Sequence, residues 1–129
     1  MEKENMNLTE AEWQVMECLW EFSPVTGREA TDKLGEKMGW NRSTTLTLLR
    51  RLEAKGAVKS GSNGSKKIYE PALRREDAAM RETEDLISRV YKGSVSMLVS
   101  AFTKKQSLSK EEIEEMYALL RGLEETDDH

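Results

Sequence analysis

The chain has 129 residues, of which 37% are hydrophobic and 34% are charged, and its net charge is −4. This length allows one ordinary domain, or a small domain with an appendage. The sequence has no apolar run approaching the roughly 18 residues of a membrane span, and no signal-peptide pattern opens it, so we expect a cytoplasmic protein with no membrane partner.

Cysteine and histidine are too scarce for most metal sites. The chain has one cysteine, Cys18, and one histidine, His129, whereas a Cys/His site usually needs about three or four ligands. The same scarcity argues against an enzyme that pairs a Cys or Ser nucleophile with His. We therefore expect no enzyme, no metal and no cofactor, and we interpret Cys18 as a buried small hydrophobic residue.

Two capping patterns predict the first two helices. Thr9-Glu10-Ala11-Glu12 has the capping-box spacing, and the helix that follows ends near Ser23-Pro24. Its apolar stripe consists of Trp13, Val15, Met16, Leu19, Trp20 and Phe22. Thr26-Gly27-Arg28-Glu29 repeats the pattern for a shorter helix closed by Gly39. The residues predicted to face inward on the second helix are Ala30, Leu34 and Met38.

A third helix is predicted from the Asn41 cap to about Lys55, with Gly56 as its stop. Its inward face follows i, i+3, i+4, i+7 spacing and consists of Thr45, Leu48, Leu49 and Leu52. The opposite face presents Ser43, Thr44, Thr47, Arg50, Arg51 and Ala54. Three short helices joined by turns of a few residues predict a helix-turn-helix.

A hairpin is predicted directly after the third helix. Residues 57–60 and 67–70 are strand candidates, the Asn63-Gly64 pair between them is a hairpin signal, and Pro71 ends the second strand. A hairpin in this position is the wing of a winged-helix domain. The predicted fold is therefore mainly α with a small β-hairpin wing, and we assign residues 1–73 to a winged helix-turn-helix domain.

The predicted third helix and wing carry a concentration of positive charge. Residues 41–75 contain nine Lys/Arg against two Asp/Glu, in an otherwise acidic chain, and such a patch suits duplex DNA. Small hydroxyl side chains let a helix approach base edges, and arginine bonds guanine or phosphate. The predicted DNA-binding residues are Arg42, Ser43, Thr44, Thr47, Arg50, Arg51, Lys66 and Lys67.

The second half of the chain is acidic and helical. Residues 76–129 carry a net charge of −6, Gly93-Ser94 is a predicted interruption, and Ser109-Lys110-Glu111-Glu112 is another capping box. Two helices cannot bury both of their apolar stripes alone, so a second copy of the chain is the natural partner. We assign residues 74–129 to a helical dimerisation domain. The predicted seam residues are Leu86, Val90, Tyr91, Val95, Leu98, Phe102, Ile113, Met116, Tyr117, Leu120 and Leu123. A small-molecule pocket in these helices is the alternative.

Ordered motifs along the chain resemble the penicillinase repressor (BlaI/MecI) family, which also includes copper-responsive repressors. They are Leu8–Glu12 with Val15-Met16 and Leu19-Trp20, Trp40–Thr45 with Thr47-Leu48 and Arg51-Leu52, Lys55–Ala57, Tyr69–Pro71, Tyr91–Ser94, Phe102, Leu108-Ser109 and Ile113–Tyr117. The resemblance implies a homodimeric winged-helix repressor that binds dyad operators with TACA/TGTA half-sites. It further implies that Thr44, Thr47 and Arg51 contact DNA, while Ser43 stands where relatives often have Lys.

Two family features are changed here. Relatives that control β-lactam resistance are cleaved at an Asn-Phe bond, which aligns with Ala101-Phe102, so this bond is a candidate cleavage site with one residue altered. The resemblance names a sensor-linked protease as a candidate partner, and a β-lactam-resistance or related stress operon as a candidate target. The Cys-x-Cys pairs of copper-responsive relatives are missing from the sequence, which excludes copper sensing by thiolates.

Three hypotheses follow. The first is a dimeric repressor of a double-stranded DNA operator. The second is a winged-helix module that dimerises but binds protein, and the third is an architectural DNA binder with little sequence preference. Binding to a TACA/TGTA dyad in comparison with scrambled DNA separates them.

Overall fold

A computed structural model describes residues 7–105 and 107–127, so His129 lies outside the described residues. The elements in chain order are α1 (Glu10–Phe22), β1 (Val25–Thr26), α2 (Gly27–Met38), α3 (Arg42–Lys55), β2 (Val58–Asn63), β3 (Lys66–Pro71), α4 (Arg75–Tyr91), α5 (Val95–Lys105) and α6 (Lys110–Asp127). This mainly helical chain with one small sheet confirms the predicted fold class. The chain divides into two compact units between Glu84 and Asp85, inside α4, and the functional boundary after Leu73 stays a prediction.

The three capping boxes are all formed. In each box the first side chain accepts a hydrogen bond from the backbone N–H three residues later, and the glutamate there accepts one in return from the backbone N–H of the capping residue, over distances of 2.8–3.1 Å. The pairs are Thr9–Glu12, Thr26–Glu29 and Ser109–Glu112. These reciprocal bonds satisfy backbone groups that a helix start leaves unpaired, and they fix where α1, α2 and α6 begin.

The winged-helix unit contains a three-stranded antiparallel sheet in the order β1-β3-β2. In the hairpin, Val58 pairs with Pro71 and Asn63 pairs with Lys66, so both strands are longer than predicted and the turn is Gly64-Ser65. Gly64 has a φ of 67°, which glycine adopts without steric cost. The strand β1 was missed because two residues are too short to show an alternating pattern.

The core of this unit lies where α1, α2, α3 and the sheet meet. It consists mainly of Val15, Met16, Leu19, Val25, Ala30, Leu34, Leu48, Leu49, Leu52, Ala57, Val58, Tyr69 and Leu73. All three tryptophans are partly buried and pack against it. Cys18 is also buried, and this burial raises the pKa of its thiol.

Two residues predicted to face inward are exposed. Met38, at the end of α2, is 38% exposed, because at about 100° per residue it lies about 80° around the helix from Ala30. Phe22, the last residue of α1, is 43% exposed. The ammonium of Lys33 lies 3.8 Å from the centre of its ring, so a cation–π contact replaces the expected packing.

The start of α4 is fixed to α1 by a cluster of two rings and an ion pair. Arg75 donates two hydrogen bonds to the carboxylate of Glu17, at 3.0 and 2.9 Å. Its guanidinium lies 5.9 Å from the ring of Trp13 and 5.8 Å from that of Trp20. The indole N–H of Trp20 donates to the carbonyl of Leu73 at 2.8 Å. The hydrogen bonds from Arg75 lower the pKa of Glu17.

In the second unit, the interruption predicted at Gly93-Ser94 is confirmed: Lys92 and Gly93 have positive φ angles of 53° and 86°, and α5 begins at Val95. Neither α5 nor α6 has a buried residue among those described. Eight predicted seam residues are exposed: Leu86, Val90, Val95, Phe102, Ile113, Tyr117, Leu120 and Leu123. The other three are partly exposed: Tyr91, Leu98 and Met116.

Across the described helices, no segment is both long and apolar enough to cross a bilayer.

A buried charge connects the first helix to the end of the third. Glu12 has no exposed surface, and its Oε1 lies 2.6 Å from the ammonium of Lys55. Lys55 also donates to the carbonyl of Asn7 at 3.0 Å. Burial by itself raises the pKa of Glu12, but the hydrogen bonds from Lys55 and Thr9 outweigh it and the net pKa is lowered from the ordinary 4.5.

We expect Lys55→Ala to lower the free energy of unfolding by about 2 kcal/mol, because it leaves the Glu12 carboxylate buried without its cation. The matched control is Lys59→Ala, which removes an exposed pair with Glu70 at 3.9 Å and should cost less than about 0.5 kcal/mol. Urea denaturation measures both. Equal losses would contradict a structural role for the buried pair.

The lowered pKa of Glu12 predicts the sign of the pH dependence. A depressed carboxyl pKa contributes stability that is present above the unfolded value, 4.5, and is lost as the pH falls through the folded value. We expect part of the acid-induced loss of stability to disappear in Glu12→Gln. Denaturation midpoints between about pH 6 and pH 3 measure this, and identical pH profiles for the two proteins would refute it.

Candidate nucleic-acid interface

The helix α3 has one buried face and one exposed face, as predicted. Thr45, Leu48, Leu49 and Leu52 are buried in the core. Ser43, Thr44, Arg50, Arg51 and Ala54 are exposed, and Thr47 is partly exposed. The helix thus presents hydroxyl groups along its first two turns and two guanidinium groups on its third.

The beginning of α3 is suited to an anion. The side chain of Asn41 accepts a hydrogen bond from the N–H of Thr44 at 2.8 Å, and the first turn contains no acidic residue. The positive end of the helix dipole and the remaining free N–H groups therefore lie beside the exposed Arg42. A phosphate group is the ligand that such a helix start favours.

Ion pairs reduce the charge that is available in residues 41–75. Five of the nine basic side chains lie within 4.0 Å of a carboxylate: Lys55 with Glu12, Lys59 with Glu70, Lys67 with Glu53, Arg74 with Glu76 and Arg75 with Glu17. Within the described parts of the chain, the four without such a partner are Arg42, Arg50, Arg51 and Lys66. The uncommitted charge thus lies on the exposed face of α3 and at the turn of the hairpin.

The two lysines of the wing have different surroundings. Lys67 lies 3.8 Å from the carboxylate of Glu53 and 5.3 Å from the ring centre of Tyr69. Lys66 follows the turn directly and is exposed. It acts electrostatically on Glu29, whose pKa is lowered mainly by the backbone N–H of Thr26, with Lys66 contributing. The sequence pattern does not distinguish the two lysines and does not indicate that Glu53 is a neighbour of Lys67.

A hydrogen bond holds one guanidinium along the helix. Arg50 donates to the hydroxyl of Thr47 at 3.4 Å, at the long end of the hydrogen-bond range. Both residues were predicted to contact DNA, and i, i+3 spacing places them on the same side of α3. Their DNA contacts stay a prediction, as do those of the other six residues.

One protein-family match covers most of the chain. The model of the penicillinase repressor family matches residues 8–122. The chain belongs to the penicillinase repressor family. This confirms the resemblance inferred from the sequence. Members of the family are transcriptional repressors, not enzymes, and the chain is a DNA-binding repressor.

Named relatives of this penicillinase repressor family member align over nearly their whole length. The penicillinase repressor of Bacillus licheniformis is 30% identical over 113 residues, which cover 88% of each chain. The methicillin resistance regulatory protein MecI of Staphylococcus aureus is 28% identical over 120 residues, covering 93% of this chain and 98% of the relative.

Solved structures resemble the winged-helix part of this family member. The solution structure of the DNA-binding domain of the repressor BlaI matches with a TM-score of 0.50 and 30% identity, over 54% of this chain and 85% of that one. The monomeric form of Bacillus licheniformis BlaI in complex with the blaP half-operator gives the same TM-score, identity and coverage.

The candidate cleavage bond, Ala101-Phe102, lies inside a helix. Ala101 and Phe102 belong to α5, where Ala101 is partly exposed and Phe102 is 49% exposed. A protease that requires an extended substrate must unwind this helix locally, and such opening is easiest in an element without buried residues. Cleavage of this family member stays a prediction.

One buried polar atom in α3 predicts a stabilising substitution. The hydroxyl oxygen of Thr45 is buried and has no hydrogen-bond partner among the described residues. We expect Thr45→Val to raise the free energy of unfolding by about 1 kcal/mol, because it removes an unsatisfied polar group while keeping a similar shape. Thr47→Val, on the exposed side, is the control and should change stability by less than about 0.5 kcal/mol. A destabilised Thr45→Val protein in thermal denaturation would contradict this.

Proposed function

We propose that this chain is a homodimeric repressor that binds a dyad operator with TACA/TGTA-type half-sites. The observation that carries the proposal is the position of the uncommitted cations. Arg50 and Arg51 lie on the exposed face of α3, Arg42, the first residue of that helix, is exposed, and Lys66 lies at the hairpin turn. Positive charge on a recognition helix and on a wing is the arrangement that duplex DNA requires.

The residues of the exposed α3 surface have different tasks in this proposal. Thr44 and Thr47 are small enough to let the helix approach base edges, and their methyl groups contact thymine. Arg51 donates to guanine or to a phosphate. Arg42, together with the first N–H groups of α3, binds the phosphate backbone and fixes the register of the helix on DNA. Ser43 and Arg50 complete the proposed surface.

The second unit supplies the proposed dimer contact. In α5, α6 and the segment between them, an apolar groove of about 350 Å³ is lined by Thr103, Ser107, Leu108, Ile113, Met116, Tyr117 and Leu120. Four of these are predicted seam residues: Ile113, Met116, Tyr117 and Leu120. Because Tyr117, Leu120 and Leu123 are each more than half exposed, a second copy that covers them would bury substantial apolar area.

The proposed target is a β-lactam-resistance or related stress operon, and the names of the relatives support it. The proposed place of action is the cytoplasm, where such an operon is transcribed. A sensor-linked protease is the proposed partner that would end repression. The exposed Phe102 supports the Ala101-Phe102 bond as its site, although alanine stands where the family has asparagine.

We expect Arg51→Ala to weaken binding to a TACA/TGTA dyad by about 1–3 kcal/mol if Arg51 bonds a base, and to relax preference at that position. Fluorescence anisotropy with the dyad and with scrambled DNA measures both effects. Lys104→Ala, which removes a positive charge from α5, is the control. Equal losses of affinity for both DNAs would indicate that Arg51 contacts the DNA phosphate backbone and not a base.

The same assay tests the proposed function as a whole. Affinity of the wild type should fall steeply with salt, because phosphate neutralisation releases counterions. Binding that is insensitive to half-site scrambling would favour an architectural DNA binder. Failure to bind either DNA at low salt would favour the protein-interaction module.

We expect Leu120→Asp to convert a dimer into a monomer, since it places a charge in the proposed apolar seam. Sedimentation equilibrium at micromolar concentration measures the mass. Ala118→Asp adds the same charge at an exposed position about 200° around α6 and should leave the mass unchanged. A monomeric wild type would refute the dimer.

A further inference from the structure

The outer half of the wing hairpin has little support from the rest of the protein. The strand β1 pairs with β3 at Tyr69 and Ile68, so the ladder beyond this point joins β2 and β3 alone. The tip residues 61–67 are all exposed. A two-stranded hairpin is marginally stable by itself, so the position of the tip depends on side chains that connect it to the domain.

One carboxylate makes that connection. Glu53, in the last turn of α3, accepts a hydrogen bond from the hydroxyl of Ser60 on β2 at 2.5 Å. Its other oxygen lies 3.8 Å from the ammonium of Lys67 on β3. Among the residues that the structure describes, Glu53 is the sole side chain outside the hairpin with a hydrogen bond or ion pair to residues 60–67.

The pairing register places these contacts on one face of the wing. Ser60 is opposite Tyr69, and Ser62 is opposite Lys67. Successive side chains in a strand point to opposite faces, so these four residues share the face towards Glu53 and Lys66 projects from the other face. The sequence neighbours Lys66 and Lys67 are therefore separated by the sheet.

We propose that Glu53 is a positioning residue that holds the wing beside the recognition helix, and that it divides the work of the two wing lysines. Lys67 is held by Glu53 and helps to fix the hairpin, while Lys66 contacts a DNA phosphate. This inference rests on the proposed function in one respect, namely that the ligand of Lys66 is the operator backbone.

The two contacts of Glu53 differ in strength. The bond from Ser60 is short and its acceptor is charged, which makes it the stronger kind of hydrogen bond. The pair with Lys67 joins side chains that are 56% and 36% exposed, and such pairs are weak. The Ser60–Glu53 bond is therefore the main restraint on the hairpin. Fixing the hairpin before binding reduces the ordering that binding itself requires.

Ser60→Ala tests the restraint without changing any charge. The matched control is Ser62→Ala on the same strand and the same face, since Ser62 has no side-chain hydrogen bond within the described residues. We expect the backbone heteronuclear NOE of Gly64 and Ser65 to fall in Ser60→Ala and to be unchanged in Ser62→Ala. Ser60→Thr keeps the hydroxyl and should restore the wild-type value.

A double-mutant cycle with Lys66→Ala tests the consequence for DNA binding. In the wild-type background, Lys66→Ala should make the plot of log affinity against log salt about one unit less steep. In the Ser60→Ala background that change should be less than about half as large, because a mobile wing places Lys66 near phosphate for less of the time. In the Ser62→Ala background it should be undiminished.

The outcomes separate this inference from the proposed function. Equal NOE values and equal salt slopes for Ser60→Ala and Ser62→Ala would overturn the role of Glu53. A larger slope change for Lys67→Ala than for Lys66→Ala would overturn the division between the lysines. If the wild type bound no DNA, the proposed function would fail together with the assignment of Lys66, whereas the NOE comparison would still decide whether Glu53 holds the hairpin.

Discussion

The burial of one face of α3 is the constraint on which the rest of the structure depends. Leu48, Leu49 and Leu52 fill the space between α1, α2 and the sheet, and each fully buried leucine contributes about 1.5–3 kcal/mol. Because a helix has a fixed rotation per residue, this burial also determines which side chains face solvent. The hydroxyl group of Thr44 and the guanidinium group of Arg51 are thus oriented towards solvent by leucines that are themselves buried.

The basic side chains of residues 41–75 are of two kinds, those in ion pairs with carboxylates and those without such a pair. In the winged-helix unit, several glutamates pair with nearby lysines and arginines, as Glu12 does with Lys55. The basic residues without such pairs lie on the exposed face of α3 and at the hairpin turn. A protein with a net charge of −4 therefore keeps a local positive field, while its remaining surface repels DNA and limits non-specific contact.

Helix boundaries and the two faces of α3 were predictable because their causes are local. The caps at Thr9, Thr26, Asn41 and Ser109 depend on residues three positions apart, and the leucine face follows a periodic pattern. The contacts that were missed join distant parts of the chain. Glu53 meets Ser60 and Lys67 only after the hairpin folds back, and β1 exists only because β3 offers it a partner.

The buried thiol of Cys18 has a practical consequence. It lies in α1 among the core residues, and burial keeps it protonated by raising its pKa. A thiol reagent therefore does not react with Cys18 while the core is closed, and it reacts as with an ordinary cysteine each time the core opens. With one cysteine in the chain, the rate of thiol labelling counts opening events of the winged-helix core, without an added probe and with DNA either present or absent.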